Sequence, residues 1–198
     1  MKIIALERSY DIWPPLAQAA LQSDAMPSPD CLACTLLTDS AVVRPRTPLF
    51  LPDFAAEGWT LEVVPVAVVS RLGKWIEPRF ARRYCEKAGV AVRLVPEEGL
   101  PANAFAANFD GAFAPCGEMT DLPAADEPWQ LSCGDVAVEI SPGQLHLDDS
   151  LALCSRYMML KTGDMIVPCR TGLRIAPRVG DTVAASLNGH ELLRLKIR

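Results

Sequence analysis

The stretch that decides the fold closes the chain: Thr182-Val-Ala-Ala-Ser-Leu187, then Asn188-Gly189, then Glu191-Leu-Leu-Arg-Leu-Lys-Ile197. Apolar and polar residues alternate on both sides of Asn188-Gly189, which is typical of half-buried strands. Asn-Gly is favoured at the centre of a type I′ turn because both central positions need a positive φ. The stretch therefore predicts an antiparallel hairpin.

Similar short β-like runs occur along the rest of the chain. Trp129–Ser132 and Val136–Ile140 flank Cys133-Gly134-Asp135 and predict a second hairpin. Between Pro96 and Asp126, where Ala, Gly and Pro are frequent, we expect long loops around one or two short strands. Further strands are predicted at Met1–Leu6, Leu36–Val43, Leu49–Leu51, Leu61–Val69 and Val90–Val95.

Three helices are predicted between the strands. Proline is tolerated in the first turn of a helix, glycine commonly follows the last turn, and aspartate is a good cap. Many short strands with few helices predict a mainly β fold with small α decorations, an α+β fold, formed by one domain over residues 1–198. The helices run from Asp11 through Pro14-Pro15 to Leu21, from Arg79 to Ala88 between Glu77-Pro78 and Gly89, and from a cap at Asp148 or Asp149 to Tyr157.

The composition limits the class of partner. The chain of 198 residues is 22% charged and 50% hydrophobic, as a globular domain is, and its net charge is −5. Nucleic acid and anionic membranes attract basic surfaces, so we expect neither as a partner. The opening run Met1–Leu6 is too short for a signal peptide, and Val63–Val69 is too short for a membrane span. We therefore expect a cytoplasmic protein.

The residue types that often carry chemistry are scattered. Cys31-Leu-Ala-Cys34 has the spacing of half a zinc site or of a redox pair, but the other five cysteines occur singly. We interpret the thiols as buried or incidental residues. His146 and His190 have no telling partner in sequence and are interpreted as exposed structural residues. The tryptophans are interpreted as core or dimer-interface residues: Trp13, Trp59, Trp75 and Trp129.

Three stretches carry a resemblance to a known family. They are Ser70-Arg-Leu-Gly-Lys74 with the residues that follow to Tyr84, Phe109-Asp110-Gly111, and the run from Leu160 to the terminal hairpin. In order and spacing they resemble the fumarylacetoacetate hydrolase family over nearly the whole chain, most weakly from Pro101 to Ile140. The resemblance implies a roll or sandwich of twisted β-sheets, usually assembled as a homodimer.

The resemblance also implies a chemistry and a metal. Family members cleave, tautomerise or decarboxylate small dicarbonyl acids with Mg²⁺ or Mn²⁺, which carboxylates hold in a Glu-x-Glu…Asp pattern. Carried over onto this chain, the first ligand falls on Glu62, the second on Val64 and the third on Arg93. One carboxylate of three remains, so we expect no bound metal and no other cofactor.

The remaining family positions are replaced as well. The helper histidine falls on Trp13, the substrate-facing lysine on Leu37, and the catalytic lysine, two residues before Phe109-Asp110, on Ala107. The turn that grips a substrate carboxylate falls on Pro168-Cys169-Arg170-Thr171. We therefore expect no catalytic residue of the family type.

Two hypotheses concern the arginines. Arg93 is expected to stand in for the missing cation and to pair with Glu62 across neighbouring strands, because a buried carboxylate needs a partner. Arg93 and Arg170, with Arg174 as a further member, are expected to form an anion pocket for a small carboxylate. The competing interpretation is that they are scattered surface arginines. A reactive thiol at Cys169 would lack a neighbouring base.

Three functional interpretations follow. The first is a non-catalytic homodimer with a small-molecule-binding, regulatory or structural role. The second is a hydrolase, tautomerase or decarboxylase with residual or altered chemistry that uses Glu62 and the arginines. The third is a subunit that pairs with an intact paralogue. Arginines converging on one cavity would favour ligand binding, whereas a cavity filled by Leu37, Val64 and Trp13 would favour a structural or interaction role.

Overall fold

A computed structural model describes residues 1–55, 57–97 and 107–198. Most of its regular structure is β. The strands of this part of the chain are β1 (Lys2–Leu6), β2 (Cys34–Thr38), β3 (Trp59–Val69), β4 (Cys85–Pro96), β5 (Phe113–Pro115), β6 (Thr120–Asp121), β7 (Trp129–Cys133), β8 (Val136–Ile140), β9 (Met165–Val167), β10 (Arg174–Ile175), β11 (Thr182–Leu187) and β12 (His190–Lys196).

The helices are short and lie at the margins of the sheets. The longest, α3, begins directly after α2 and packs against the main core through its buried residues. The α-helices are α1 (Pro15–Leu21), α2 (Pro142–Leu145) and α3 (Leu147–Tyr157), and 3₁₀ turns cover Pro29–Cys31, Asp39–Ala41 and Pro78–Tyr84. None of the helices described is long and apolar enough to cross a membrane.

The strands form two sheets. The larger is mixed, with the order β2-β1-β9-β3-β4-β5, β10 beside β3 and β6 beside β4. Its named strands pair antiparallel except β1 with β9, which run parallel. The smaller sheet is antiparallel with the order β12-β11-β7-β8. The fold is therefore α+β and mostly sheet, which confirms the predicted fold class.

The centre of the larger sheet is the long antiparallel pair β3–β4. Its register runs from Trp59 opposite Pro96 to Val69 opposite Cys85, with an irregularity next to Val69. Because side chains alternate between the faces of a strand, this register decides which residues share a face. Leu61, Val63 and the corresponding residues of β4 point into the main core, which lies between the two sheets. The intervening residues point to the opposite face.

The predicted helix Arg79–Ala88 is wrong. A 3₁₀ turn covers Pro78–Tyr84, and β4 begins at Cys85, three residues before the expected helix end. Pairing with β3 outweighs the local helix signals, since buried sheet contacts stabilise more than helix propensity does. Gly89 is therefore no helix stop. A Cβ there would overlap the sulfur atoms of Cys116 and Met119, so glycine allows a close approach.

The other two helices form, but their predicted caps are wrong. Pro14 occupies the N-cap position of α1, and Asp11 instead accepts a hydrogen bond from the Ser9 hydroxyl. His146, in a left-handed conformation, occupies the N-cap position of α3, so both aspartates lie inside its first turn. Negative charge in that turn still suits the positive end of the helix dipole.

The two predicted hairpins are confirmed. β7 pairs with β8 and β11 pairs with β12, and both Asn188 and Gly189 have positive φ, at 48° and 79°. Between Pro96 and Asp126, the described part contains β5 and β6 as the expected short strands. Residues 98–106 of that stretch lie outside the described residues.

Substituting Gly89 tests the close approach of β4 to Cys116 and Met119. We expect Gly89→Ala to lower the free energy of unfolding by about 2 kcal/mol, because the new methyl group overpacks against Cys116 and Met119. Gly143→Ala is the matched control, since a Cβ at Gly143 meets open space. Urea denaturation measures both. A Gly89→Ala variant as stable as the control would contradict the close approach.

Candidate functional site

The face of the larger sheet that points away from the main core carries the positions to which the resemblance assigns function. Glu62 of β3 lies directly opposite Arg93 of β4, and Arg174 of β10 lies opposite Glu62 on its other side. On β1, Ile3 and Ala5 point to this face, and Glu7 continues the same alternation. The face therefore gathers side chains from β1, β3 and β4.

Arg93 forms a two-pronged ion pair with Glu7. Its two terminal nitrogens donate to the Glu7 carboxylate at 2.9 and 3.2 Å, and the Arg93 side chain is only 3% exposed. The Thr35 side chain also favours the ionised form of this carboxylate and so lowers its pKa. Parallel Arg–carboxylate hydrogen bonds are among the stronger polar contacts in proteins.

Glu62 is held by Arg170 and by the backbone. Arg170 Nε donates to the Glu62 carboxylate at 3.0 and 3.3 Å, and the Gly172 N–H donates to it at 3.2 Å. Glu62 is 1% exposed, whereas Arg170 is 29% exposed. The carboxylate is thus buried with its hydrogen-bonding capacity largely used by the segment that follows β9.

The predicted ion pair between Glu62 and Arg93 does not form. The two residues do sit opposite each other and both are buried, but each forms its ion pair with a different residue. The ion-pair partner of Arg93 is Glu7, which was not predicted from the sequence as a site residue. Its signal was the alternation of Ile3 and Ala5 in β1, which Glu7 continues just after the strand, but the neighbours of β1 in the sheet could not be inferred from that pattern.

We call Glu7, Glu62, Arg93 and Arg170 the charged quartet. Two carboxylates face two guanidinium groups, so the group is neutral as a whole. Burial by itself raises the pKa of Glu7, but the hydrogen bonds and charge of Arg93, with Thr35 and Arg170, hold that pKa below its ordinary value. Glu7 is therefore ionised at neutral pH, and the ion pairs offset the cost of burying the charges.

Beside the charged quartet lies a small apolar cluster. It contains Leu37, Val64 and Ala107, the positions to which the resemblance assigns a substrate-facing lysine, a metal ligand and a catalytic lysine. The structure places all three in one buried cluster, although they are far apart in the chain. The other buried members, which complete what we call the apolar cluster, are Ile3, Ala5, Ala41, Val66, Ala91, Ala112, Phe113 and Val167.

Other expected site residues lie elsewhere. Trp13 packs at the edge of the main core and stacks on His146, with ring centroids 4.4 Å apart. His146 is half-buried and forms a hydrogen bond with Asp149, so the prediction that it is exposed is wrong. Asp110 and Arg174 are exposed. Arg93 and Arg170 both belong to the charged quartet, whereas Arg174 is not among the residues that pair there.

The turn Pro168–Thr171, to which the resemblance assigns a substrate carboxylate, packs into the protein. Cys169 is fully buried in the main core, and burial raises the pKa of its thiol to about 12. A thiol that stays protonated is a poor nucleophile. Thr171 is buried and donates its hydroxyl hydrogen to the Val63 carbonyl. Phe109 packs in an aromatic group with Phe54 and Trp59.

The donor set does not match a hard divalent cation. Mg²⁺ and Mn²⁺ prefer several oxygen ligands, usually carboxylates and water. Glu62 is already engaged by Arg170 and Gly172, Val64 offers no donor, and Arg93 adds a positive charge. Within residues 1–55, 57–97 and 107–198 no three His, Cys, Asp or Glu side chains are grouped as a metal site. Cys34 is exposed and the other six cysteines are buried free thiols.

Comparisons with known proteins identify the fold. No family profile and no curated protein matches the sequence. Among solved structures, 5-carboxymethyl-2-hydroxymuconate delta-isomerase from Mycobacterium smegmatis is similar over 99% of this chain and 78% of its own, at 19% identity and a TM-score of 0.75. Fumarylpyruvate hydrolase from Pseudomonas aeruginosa, in complex with Mn²⁺ and pyruvate, is similar over 100% and 89%, at 14% identity and a TM-score of 0.75.

A fumarylacetoacetate hydrolase family protein from Yersinia pestis is similar over 100% of this chain and 93% of its own, at 16% identity and a TM-score of 0.73. The chain therefore has the fold of fumarylacetoacetate hydrolase family proteins. This agrees with the fold that the motifs implied, and the likeness extends over the full length.

Placing a lysine at position 37 tests whether the apolar cluster is filled. We expect Leu37→Lys to lower the free energy of unfolding by at least about 3 kcal/mol, because an ammonium group would be buried among apolar side chains. Leu36→Lys is the control on the same strand: Leu36 is 46% exposed and Leu37 is 2% exposed. The control should change stability by no more than about 0.5 kcal/mol. Equal, small effects in urea denaturation would contradict a filled cluster.

The pH dependence of stability tests the Glu7–Arg93 pair. Because the folded-state pKa of Glu7 is lowered, its contribution is complete above its ordinary value of 4.5 and is lost as the pH falls through the folded-state pKa. We expect Glu7→Gln to cost about 3 kcal/mol at neutral pH, since Arg93 is left buried and unpaired, and progressively less below pH 4.5.

Glu86→Gln serves as the control, because Glu86 pairs with Arg71 on the surface with both side chains mostly exposed. It should cost no more than about 0.5 kcal/mol. Urea denaturation at a series of pH values gives both curves. A Glu7→Gln penalty that stays constant down to pH 3 would show that the carboxylate charge is not what stabilises the fold.

Proposed function

We propose that this chain is a divergent, non-catalytic relative of the fumarylacetoacetate hydrolase enzymes, with a structural or interaction role that needs neither their metal nor their reaction. The observation that carries the proposal is the convergence of Leu37, Val64 and Ala107 in one buried apolar cluster. Three positions to which the resemblance assigned functional groups all hold buried apolar side chains, and all three belong to this one cluster.

The charged quartet supports the same proposal. In the family chemistry a cation stabilises an enolate that develops on the substrate. Here guanidinium groups supply the positive charge, and Glu7 and Glu62 neutralise them internally. A guanidinium that already forms an ion pair has little remaining attraction for a substrate carboxylate, because an incoming anion would have to displace a buried carboxylate.

A small carboxylate ligand is the weaker candidate for the same reason. Arg170 is partly exposed and could contact an anion from the solvent side, but its Nε hydrogen is directed at Glu62. Arg174, the expected third member of the pocket, is exposed. The favoured role therefore depends on surfaces of the protein, which we propose to be a homodimer, the assembly that the resemblance implies.

A thermal-shift titration with Mg²⁺ and Mn²⁺, each with and without oxalate as an enolate mimic, tests the proposal. A ligand that binds the folded state at 100 times its dissociation constant would add about 2.7 kcal/mol, or several degrees. We expect no metal-dependent change. The Pseudomonas aeruginosa fumarylpyruvate hydrolase, whose structure contains Mn²⁺ and pyruvate, is the positive control.

Glu62→Gln distinguishes the outcomes. A metal-dependent rise in melting temperature that disappears in Glu62→Gln would contradict the proposal and would favour an enzyme with altered chemistry. A rise with oxalate alone would replace the structural role by carboxylate binding at Arg170. The non-catalytic proposal is supported if metal and oxalate leave the melting temperatures of wild type and variant unchanged while the melting temperature of the control protein rises.

A further inference from the structure

The end strands of the two sheets differ in how their outer edges are covered. In the larger sheet, the Asn108 side chain hydrogen-bonds to the backbone of β2, and the Val43 N–H donates to β5. In the smaller sheet, the segment Leu49–Leu51 hydrogen-bonds to the end of β12 and the residues after it. β8, at the other end of that sheet, has no hydrogen bond on its outer side from any residue that the structure describes.

The pairing of β7 with β8 shows which backbone groups of β8 point outward. Glu139 lies opposite Gln130. The Gln130 N–H donates to the Asn188 side chain and the Gln130 carbonyl accepts from the Asn188 N–H, each at 2.8 Å, on the side of β7 away from β8. Glu139 and Gln130 are therefore a pair without mutual hydrogen bonds, so the N–H and C=O of Glu139 point away from β7. Because the pattern repeats every two residues, the N–H and C=O of Ala137 also point outward.

The side chains of β8 leave this edge open to pairing. Proteins commonly block an exposed edge strand with lysine, proline or a bulge. β8 reads Val136-Ala-Val-Glu-Ile140 and pairs with β7 without an irregularity, so it has none of these devices. On its core face Ile140 is buried, Val138 is half-buried and Val136 is 53% exposed. The face therefore ends in apolar surface that one more strand would cover.

A second copy of β8 complements this edge when the two strands run antiparallel about Val138. Each Ala137 then lies opposite Glu139 of the partner subunit, and such a pair exchanges both of its N–H···O hydrogen bonds. Val138 meets its own counterpart, and Val136 meets Ile140 of the partner subunit. Cross-strand pairs of β-branched side chains stabilise a sheet. The nearly palindromic strand thus satisfies its outward backbone groups and covers its exposed valine together.

The acidic side chains favour this register over its neighbours. Centring the two strands on Glu139 would place two carboxylates directly opposite each other, and like charges in that position destabilise a sheet. Centring them on Ala137 would bring Glu139 opposite Asp135 of the partner subunit, again with like charges. The register about Val138 places each Glu139 opposite an alanine. The self-complementary pattern therefore fits a second copy of this chain.

We propose that β8 is a homodimer interface, at which two copies join their smaller sheets into one continuous antiparallel sheet about a two-fold axis at Val138. The inference names the surface of the homodimer in the proposed function and rests on that assembly, but not on the loss of catalysis. A strand of five residues buries little area, so the dimer dissociates on dilution.

Ala137→Pro tests the backbone pairing. Proline lacks the outward N–H, and it is tolerated on an edge strand where the N–H faces solvent, so the β7–β8 hairpin is kept. We expect the dissociation constant of the dimer to rise about thirtyfold, since the symmetric interface loses the same hydrogen bond twice. Sedimentation velocity up to about 1 mM protein measures it. Ala137→Ser keeps the N–H and is the matched control, with dimerisation equal to that of wild type.

Val138→Cys tests the register. The Cα atoms of a non-hydrogen-bonded antiparallel pair are about 4.5 Å apart, within the range that a disulfide spans. Oxidation with diamide should therefore give a covalent dimer linked through position 138 of both copies. Ala137→Cys is the control and should give no link between its own copies, because position 137 faces position 139. Mass spectrometry of the linked peptides separates these products from links among the seven native cysteines.

The outcomes separate the interface from the assembly. Wild-type protein that stays monomeric up to about 1 mM would overturn both the interface and the homodimer. A dimer that persists unchanged in Ala137→Pro, without a link at position 138, would keep the homodimer and overturn β8 as its interface. Weaker dimerisation in Ala137→Pro, normal dimerisation in Ala137→Ser and a link at position 138 would support the inference. The metal titration tests the loss of catalysis independently of all three results.

Discussion

The antiparallel pairing of β3 with β4 is the constraint on which the rest of the structure depends. It runs without interruption from Trp59 opposite Pro96 to Val68 opposite Lys87, and it forces alternate residues onto opposite faces. One face must pack the main core, so Glu62 and Arg93 are obliged to share the other, where both are buried. Charges placed there need partners, and Glu7 and Arg170 provide them.

We therefore interpret the proposed loss of catalysis as a change in the environment of one face of the larger sheet. The individual substitutions on that face depend on one another. A metal site needs oxygen donors and room for substrate and water. On this face the charges pair among themselves, and the adjoining space holds apolar side chains from β1, β2, β3 and the Ala107 segment. A polar side chain placed at one of these positions would then be buried in an apolar environment: a lysine at 37 and a carboxylate at 64 would each lie among the apolar side chains of the cluster.

Sequence patterns predicted the parts of the fold that local interactions determine. Asn188-Gly189 gives a turn through its own backbone preferences, and the motifs from Ser70 to the end indicated the fold. Gly89 could not be understood in the same way, because its reason is contact with Cys116 and Met119 from a distant segment. The partners of Glu62 and Arg93 were missed likewise: ion pairs between strands depend on sheet order, and no pattern within β1 showed that Glu7 would lie beside Arg93.

A crystal structure of the protein grown with Mn²⁺ and pyruvate tests the central claim most directly. We expect Glu7 paired with Arg93, Glu62 paired with Arg170, Leu37, Val64 and Ala107 buried in the apolar cluster, and no manganese density at Glu62. A manganese ion bound to Glu62, with Arg93 and Arg170 turned away and pyruvate between them, would contradict it.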